Sequence, residues 1–279
     1  MEIGQVSKTA LGVAIRRAAH QLMETPRILE DPIAVRLIGS GYANQMERAM
    51  HAVGRDFRAF MAVRSRSVED GLAEAVASGV MQYVILGAGL DTFAYRNPFP
   101  GLRVFEVDFP ATQDWKRTML HSAEIPVPQD LTFVPLDFEH KTLAASLAEA
   151  GLDATIPAFF GWLGVVPYLS LDAFRATLQT IAELPAGSAV SFDYSLPREA
   201  LSSEGKTAFD RLSSRVSAAG EPFQLFFTPK SLEAELRLAG FHRIRQLDYD
   251  QLNDLYFKDR VDGLKLSAVG LAMLATAWV

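Results

Sequence analysis

A short apolar run that breaks into two glycines constrains this chain more than any other feature. Residues 83–86 read Tyr-Val-Ile-Leu, and Gly87-Ala88-Gly89 follows at once. Such a run is typical of a buried strand, and the glycines allow positive φ and remove the Cβ that would keep a ligand away. The pattern predicts a strand and a tight turn at the nucleotide-binding edge of an open α/β sheet.

The next apolar run ends in acidic residues, at the spacing that a ribose contact requires. Asp108 lies 21 positions after Gly87, and Glu106 lies 19 positions after it. A carboxylate about 20 residues beyond the glycine turn meets ribose hydroxyls in many nucleotide-binding sheets. The spacing therefore predicts a nucleoside ligand and leaves Asp108 and Glu106 as its two candidate contacts.

Asp91 and Thr92, which follow the turn, distinguish between kinds of nucleotide ligand. The dinucleotide fingerprint G-x-G-x-x-G requires glycine at position 92, where this chain has Thr92. Asp91 would repel a pyrophosphate, but it would tolerate or attract a sulfonium that carries an ammonium group. The residues favour S-adenosylmethionine over NAD or FAD as the cofactor, while a plain tight turn would explain the glycines but not the spaced acid.

Composition limits the partners. The 279 residues carry a net charge of −6 and no cysteine, and no basic block is present. A nucleic-acid partner is therefore not expected, and thiolate metal sites are excluded. The histidines show no metal-like spacing, so no metal is expected. The longest apolar stretch is too short to cross a bilayer and no signal segment is visible, so we expect a cytoplasmic protein without a membrane partner.

Helical patterns fill the first 80 residues, and strands then alternate with helices. Alternation of this kind predicts a mainly parallel, doubly wound α/β sheet covered on both faces. We expect an N-terminal helical cap at 1–80 and a cofactor-binding α/β domain at 81–279, forming one compact unit. The strands are predicted at 82–87, 103–108, 131–136, 156–163, 188–194, 241–247 and 267–278, and the helices at 111–123, 140–150, 171–184, 199–219 and 229–239.

The connection before the last strand shows no helix-length pattern. The final strand is therefore expected to pair antiparallel with its predecessor. Three aromatic residues, Phe223, Phe226 and Phe227, precede the next helix. We interpret them as core or lid packing rather than as a ligand-binding cluster.

Polar side chains at predicted strand ends are the other candidates for the site. Asp137 and Phe138 follow the third strand, where the acid could accept the adenine amine or cap the next helix. Arg64 and Arg66 lie on the last helix before the central strand, and either could clamp a carboxylate or face solvent. Tyrosines and an acid near strand ends could contact a substrate or pack at the rim: Tyr95, Tyr168, Asp193 and Tyr194.

The order of these motifs resembles a known family. Residues 84–92 (VILGAGLDT), 105–110 (FEVDFP) and 136–138 (LDF), with 9–14 (TALGVA) and 17–20 (RAAH), are similar to the leucine carboxyl methyltransferase-like family. Within it they resemble the bacterial S-adenosylmethionine-dependent branch, over roughly residues 8–195.

The resemblance implies a class I, Rossmann-like methyltransferase fold, with a seven-stranded sheet whose last strand is antiparallel. It implies that Arg64, rather than Arg66, binds the carboxylate of the cofactor tail. It further implies cofactor contacts from Gly87, Ala88, Gly89, Asp108 with Phe109, and Asp137 with Phe138.

One departure from the family pattern concerns the fourth strand. Leu163 occupies the position at which the family often has an acidic residue, so the cofactor contact from this strand is in doubt.

The leading hypothesis is methyl transfer to an oxygen atom of a small molecule. A carboxylate acceptor is slightly favoured because it needs no general base, and no residue is predicted to be catalytic. A catalytically silent cofactor sensor or scaffold and an NAD-dependent oxidoreductase remain as alternatives.

Overall fold

A seven-stranded sheet organises the described part of the chain. The computed structural model describes residues 8–50, 54–137, 141–267 and 269–279. The strand order is β3-β2-β1-β4-β5-β7-β6. The strands are β1 Gln82–Leu86, β2 Arg103–Asp108, β3 Leu131–Pro135, β4 Phe159–Trp162, β5 Ala189–Ser195, β6 Arg243–Leu247 and β7 Ala272–Trp278.

The sheet is parallel except at β7, which runs antiparallel to both β5 and β6. The seven predicted strands and the antiparallel last strand are therefore confirmed, and the order is that of a class I methyltransferase. The strand order reverses between β1 and β4, and this switch point is where open α/β sheets bind ligands.

Helices cover both faces of the sheet. In the described part of the first 80 residues, four of them precede β1, where the sequence predicted helices. The helices are α1 Lys8–Met23, α2 Pro32–Ile38, α3 Ala43–Met50, α4 Arg55–Ala77, α5 Pro110–Ser122, α6 Leu143–Glu149, α7 Leu171–Ala182, α8 Ser203–Ala218, α9 Pro229–Leu238 and α10 Tyr249–Tyr256.

The helix α10, which joins the last two strands, is not among the predicted helices. Its N-cap is Asp248, whose carboxylate accepts a hydrogen bond from the Gln251 backbone while the Gln251 side chain accepts from the Asp248 backbone. This reciprocal capping stabilises a helix of only eight residues. So short a helix makes little more than two turns, too few for a periodic apolar pattern to reveal it.

The two faces of the sheet have separate cores. On one face Tyr83, Ile85 and Phe159 pack against Val68 and Leu72 of α4. On the other face the alternate residues of the same strands pack against α6, α7 and α9. All five residues of β1 are buried, which agrees with its continuous apolar run and its place at the centre of the sheet.

Candidate functional site

The strand registers bring the glycine turn beside the acid that ends β2. Leu86 pairs with Val107, so Gly87 lies beside Asp108 at the carboxyl edge of the sheet. Gly87 has φ 64 and Gly89 has φ 47, the left-handed region that glycine adopts without strain. A Cβ on Gly87 would lie 2.3 Å from a methyl group of Val165. The turn thus requires glycine both for its φ and for the close approach of its neighbour.

Asp108 is bound to the turn by backbone donors. Its carboxylate accepts the Gly89 N–H at 2.5 Å and the Phe109 N–H at 2.7 Å. Burial raises the pKa of Asp108, and these two N–H groups act in the opposite direction. Each carboxylate oxygen keeps a second lone pair, so the group can also accept ribose hydroxyls.

Glu106, the other acid at a suitable spacing, points into the interior. It is 1% exposed, and its Oε2 pairs with Lys116 Nζ at 2.6 Å. Burial raises the pKa of Glu106 to about 7, although Lys116 counteracts it. Its Oε1 has no hydrogen-bond partner among the described residues. Asp108 is therefore the acid that lies at the turn.

The same edge continues from β4 to β5. Trp162 pairs with Phe192, so Leu163 lies beside Asp193 on the face that α4 covers. Asp193 Oδ2 pairs with Arg64 Nη1 at 2.8 Å, and Asp193 Oδ1 accepts the Gly164 N–H at 2.6 Å. These contacts tie α4, the turn after β4 and the end of β5 together.

The two arginines of α4 have different surroundings. The side chains of Arg64 and Asp193 are only 7% and 6% exposed. Arg66 pairs with Asp70 at 2.7 Å on the exposed side of the helix. Only Arg64 therefore lies at the edge where the glycine turn ends.

Asp91 has a different partner from the one its sequence suggested. Its carboxylate meets Arg17 Nη1 at 3.2 Å and accepts the Phe93 N–H at 2.7 Å. Arg17 also pairs with Asp31, the residue that caps α2. Arg17 is thus a cation that the protein itself places beside Asp91, and the contact fastens α1 and α2 to the glycine loop.

Of the predicted tyrosines, Tyr168 lies closest to this edge. It is half-buried in a short 3₁₀ helix after β4, and its ring centroid is 5.3 Å from that of Phe223. Burial, together with the nearby Glu221 carboxylate, raises the pKa of Tyr168 to about 12. The charges of Arg64 and Asp193 also act on this hydroxyl.

The other two tyrosines are not brought to this edge. Tyr194 follows Asp193 and points to the opposite face, where its hydroxyl donates to Gln246 at 2.5 Å. Tyr95 has a buried hydroxyl without a partner among the described residues. It lines a cavity of about 310 Å³ at the amino ends of β2 and β3, away from the glycine turn.

Asp137 follows β3 next to the end of β2. Its neighbour Leu136 donates a backbone hydrogen bond to the carbonyl of Asp108 at 2.9 Å, and the Asp137 carbonyl accepts the Lys141 N–H. The predicted contact from Phe138 lies outside the described residues.

No helix in the described ranges is long and apolar enough to cross a membrane. These ranges also contain no cluster of His, Asp and Glu that could hold a metal.

Two segments cover this edge, one at the start of α1 and one in the connection before α9. A Cβ on Gly89 would lie 3.2 Å from Ala10 at the start of α1. The adjacent Thr9 hydroxyl donates to the Glu221 carboxylate. Residues 224–227 then follow the carboxyl ends of β4 and β5, where the Gln224 N–H donates to the Pro167 carbonyl at 2.7 Å. The resemblance at residues 9–14 hinted at the first segment, and no sequence signal marked Glu221.

The topology, the glycine turn and the acid at the end of β2 together define a class I, Rossmann-like methyltransferase fold. Two solved structures share it. A DUF574 family protein from Streptomyces avermitilis is 17% identical with a TM-score of 0.57, over 94% of this chain and 96% of that one. A candidate methyltransferase from Thermobifida fusca is 19% identical with a TM-score of 0.56, over 99% and 96%.

The chain belongs to the leucine carboxyl methyltransferase family, whose model matches residues 10–182. YktD of Bacillus subtilis, named as a candidate S-adenosyl-L-methionine-dependent methyltransferase, is 31% identical over 95% of both chains. A Saccharopolyspora erythraea protein with the same kind of name is 32% identical over 71% of both. The family and the cofactor predicted from the sequence are thereby confirmed.

Proposed function

We propose that this chain transfers a methyl group from S-adenosylmethionine to an oxygen atom of a small molecule. The observation that carries the proposal is the pair of sites along one sheet edge. Gly87 and Asp108 form one site at the ends of β1 and β2, and Arg64 with Asp193 forms the other near β4 and β5. An adenosyl group and an amino-acid tail need these two kinds of surface side by side.

The residues at this edge suit the cofactor. The turn from Gly87 to Gly89 has positive φ at both glycines and lies at the switch point of the strand order, where open α/β sheets bind nucleotides. We assign the ribose contact to Asp108 and the tail carboxylate to Arg64, whose buried Nε has no partner among the described residues. Ala88 and Phe109 flank these contacts, and Asp137 with Phe138 is proposed to hold the adenine.

When bound, the cofactor supplies a methyl group activated by a positively charged sulfur. The part of the protein is to hold both reactants in line and to keep water away, because charge is consumed during the displacement. The cover formed by Ala10 and residues 224–227 supports this role. Tyr168, at the inner side of the cover, is proposed to contact the acceptor.

The acceptor is proposed to be a carboxylate, because such a group is ionised at neutral pH and needs no general base. A hydroxyl acceptor is the second candidate, and one observation favours it. Glu221 is a carboxylate next to Tyr168 and bound to Thr9, so it could take the proton of a hydroxyl group. Comparing the rate of methyl transfer in wild type and Glu221→Gln separates these candidates. Only transfer to a hydroxyl acceptor would depend on the charge of Glu221.

Two measurements test the proposal. Isothermal titration of S-adenosylmethionine should give saturable binding, and undetectable binding at millimolar ligand would overturn the assignment. Incubation with methyl-labelled cofactor and a panel of small carboxylic acids and alcohols should give labelled esters or ethers. Binding without transfer to any acceptor in the panel or in a cell extract would favour the sensor or scaffold instead.

We propose further that the helices of residues 1–80 act as a cap on the domain at 81–279. The ion pair between Arg17 and Asp91 and the contact of Ala10 with Gly89 support this division. Arg17→Met should loosen the cap and weaken cofactor binding, which titration measures. Unchanged affinity in a folded variant would contradict a role for the cap at the site.

A further inference from the structure

Arg64 differs from the other buried arginines in how many of its donors are used. Arg17 and Arg58 each donate through Nε, Nη1 and Nη2 to described partners. Arg64 donates to Asp193 through Nη1, while its buried Nε has no partner among the described residues. An ion pair that served only to hold the fold would satisfy its buried donors, since an unpartnered buried group is costly.

Asp193 also has unused capacity. Its Oδ2 accepts one hydrogen bond from Arg64, and its Oδ1 accepts one from the Gly164 N–H. A carboxylate oxygen has two lone pairs, so each can accept another donor. The pair therefore presents a guanidinium and a carboxylate 2.8 Å apart, each with hydrogen-bonding capacity left.

The backbone after β4 is shaped around this pair. Gly164 has φ 70, and a Cβ there would lie 3.0 Å from Arg64 Nη2. Glycine thus lets the backbone pass close to the guanidinium and point its N–H at Asp193. The arrangement fixes both charges before any ligand arrives, which lowers the ordering cost of binding.

We propose that Asp193 binds the α-ammonium group of the cofactor tail, while Arg64 binds its carboxylate. The tail of S-adenosylmethionine carries one ammonium and one carboxylate on the same carbon. A fixed arginine and aspartate pair is the complement of that arrangement, because each charge of the tail finds its opposite. The assignment rests on the proposed function for Arg64 and adds to it a recognition residue from β5.

The test compares three ligands that share the adenosine part, by isothermal titration. S-adenosylhomocysteine has both charged groups of the tail, 5′-S-(3-carboxypropyl)-5′-thioadenosine lacks the ammonium, and 5′-methylthioadenosine lacks the whole tail. In Asp193→Asn the affinity for S-adenosylhomocysteine should fall about ten- to a hundredfold, the usual effect of losing a charged hydrogen bond. Affinity for the other two ligands should not fall.

Affinity for 5′-methylthioadenosine also reports whether the variant folds. Asp193→Glu keeps the charge and should retain the preference for the complete tail. Equal losses for all three ligands in Asp193→Asn, or no loss for any, would overturn the proposal. Failure of the wild-type protein to bind any of them would instead contradict the proposed function itself.

The neighbouring strand offers a rescue experiment. Leu163 lies beside Asp193 on the same face of the sheet, one strand away and half-buried. Leu163→Glu in the Asp193→Asn background should restore part of the selectivity for S-adenosylhomocysteine over its deamino analogue. A double variant without any such selectivity would contradict the claim that a negative charge at this edge reads the ammonium.

Discussion

Asp108 and Asp193 lie at the same edge of the sheet, Asp108 at the end of β2 and Asp193 near the end of β5. Their carboxylates have different kinds of hydrogen-bond partner. Asp108 is bound by two backbone N–H groups, and burial raises its pKa although those N–H groups and the charge of Lys116 act in the opposite direction. Asp193 is bound by one N–H group and by the guanidinium of Arg64. The first carboxylate is oriented by dipoles, and the second is compensated by a full charge.

The difference matches the two parts of the cofactor. Ribose hydroxyls are neutral donors, so an oriented carboxylate such as Asp108 suffices to accept them. An amino-acid tail carries both charges, and in the proposed assignment Arg64 and Asp193 are the partners of those two charges. One edge can therefore separate recognition of the nucleoside from recognition of the tail, and the following changes test that separation.

The largest effect on cofactor affinity is expected from Gly87→Ala, which alters the glycine turn at the proposed nucleoside site. The added Cβ would meet Val165 at 2.3 Å, in a backbone conformation that alanine adopts only at a cost. Cofactor affinity should fall at least about a hundredfold. The matched control is Gly79→Ala, because Gly79 has φ 94 but nothing within 4 Å of the added Cβ. It should cost about 1–2 kcal/mol of stability in thermal unfolding and leave binding unchanged.

Asp108→Asn should lower affinity about ten- to a hundredfold for every ligand that contains the ribose. Titration with S-adenosylhomocysteine and 5′-methylthioadenosine measures this, and both should be weakened alike. Because burial disfavours the charged form of Asp108, the substitution should cost little or no stability. A loss confined to the ligand with the tail would show that the two halves are not separate.

Glu106→Gln tests whether Glu106, the other acid near the end of β2, makes the stability of the fold depend on pH. The pKa of Glu106 is raised to about 7, so the folded state binds its proton more tightly than the unfolded state. Stability of the wild type should therefore fall as the pH rises from the ordinary value of 4.5 to about 7, with a slope of at most about 1.4 kcal/mol per pH unit. Urea unfolding at several pH values should show this slope in wild type and its loss in Glu106→Gln.

The exposed acid Glu30 provides the control for that experiment. Glu30→Gln should keep the wild-type dependence of stability on pH. A Glu106→Gln protein with the same slope as wild type would mean that another group is responsible.

The smallest effect is expected from acidification of the binding reaction. Protonated Asp108 loses part of its capacity to accept hydroxyl groups, and its raised pKa makes this begin at a higher pH than for an ordinary aspartate. Affinity for 5′-methylthioadenosine should therefore decline as the pH is lowered, and the decline should begin above the ordinary aspartate value of 3.8. Asp108→Asn should remove the decline, and a variant that keeps it would assign the effect to another group or to the ligand.

Local sequence patterns determined the sheet and the glycine turn beside Asp108. A continuous apolar run predicts a buried central strand, and paired glycines after it predict a turn with positive φ, because both depend on residues adjacent in the chain. The spacing from Gly87 to the end of β2 is likewise set within one strand–loop–strand segment, whose connection contains only the short 3₁₀ helix Phe93–Tyr95. The eight-residue helix α10 was missed because its stability comes from reciprocal capping rather than from a long periodic pattern.

Only the tertiary structure decided which acids and bases meet. Glu106 and Asp108 have almost the same spacing from Gly87, and burial against Lys116 separates them. Arg64 and Asp193 are 129 residues apart in the chain and meet because α4 packs on the face where β4 and β5 end. Charge pairing of this kind depends on helix packing and strand register, which join distant segments, so no local pattern in the sequence can encode it.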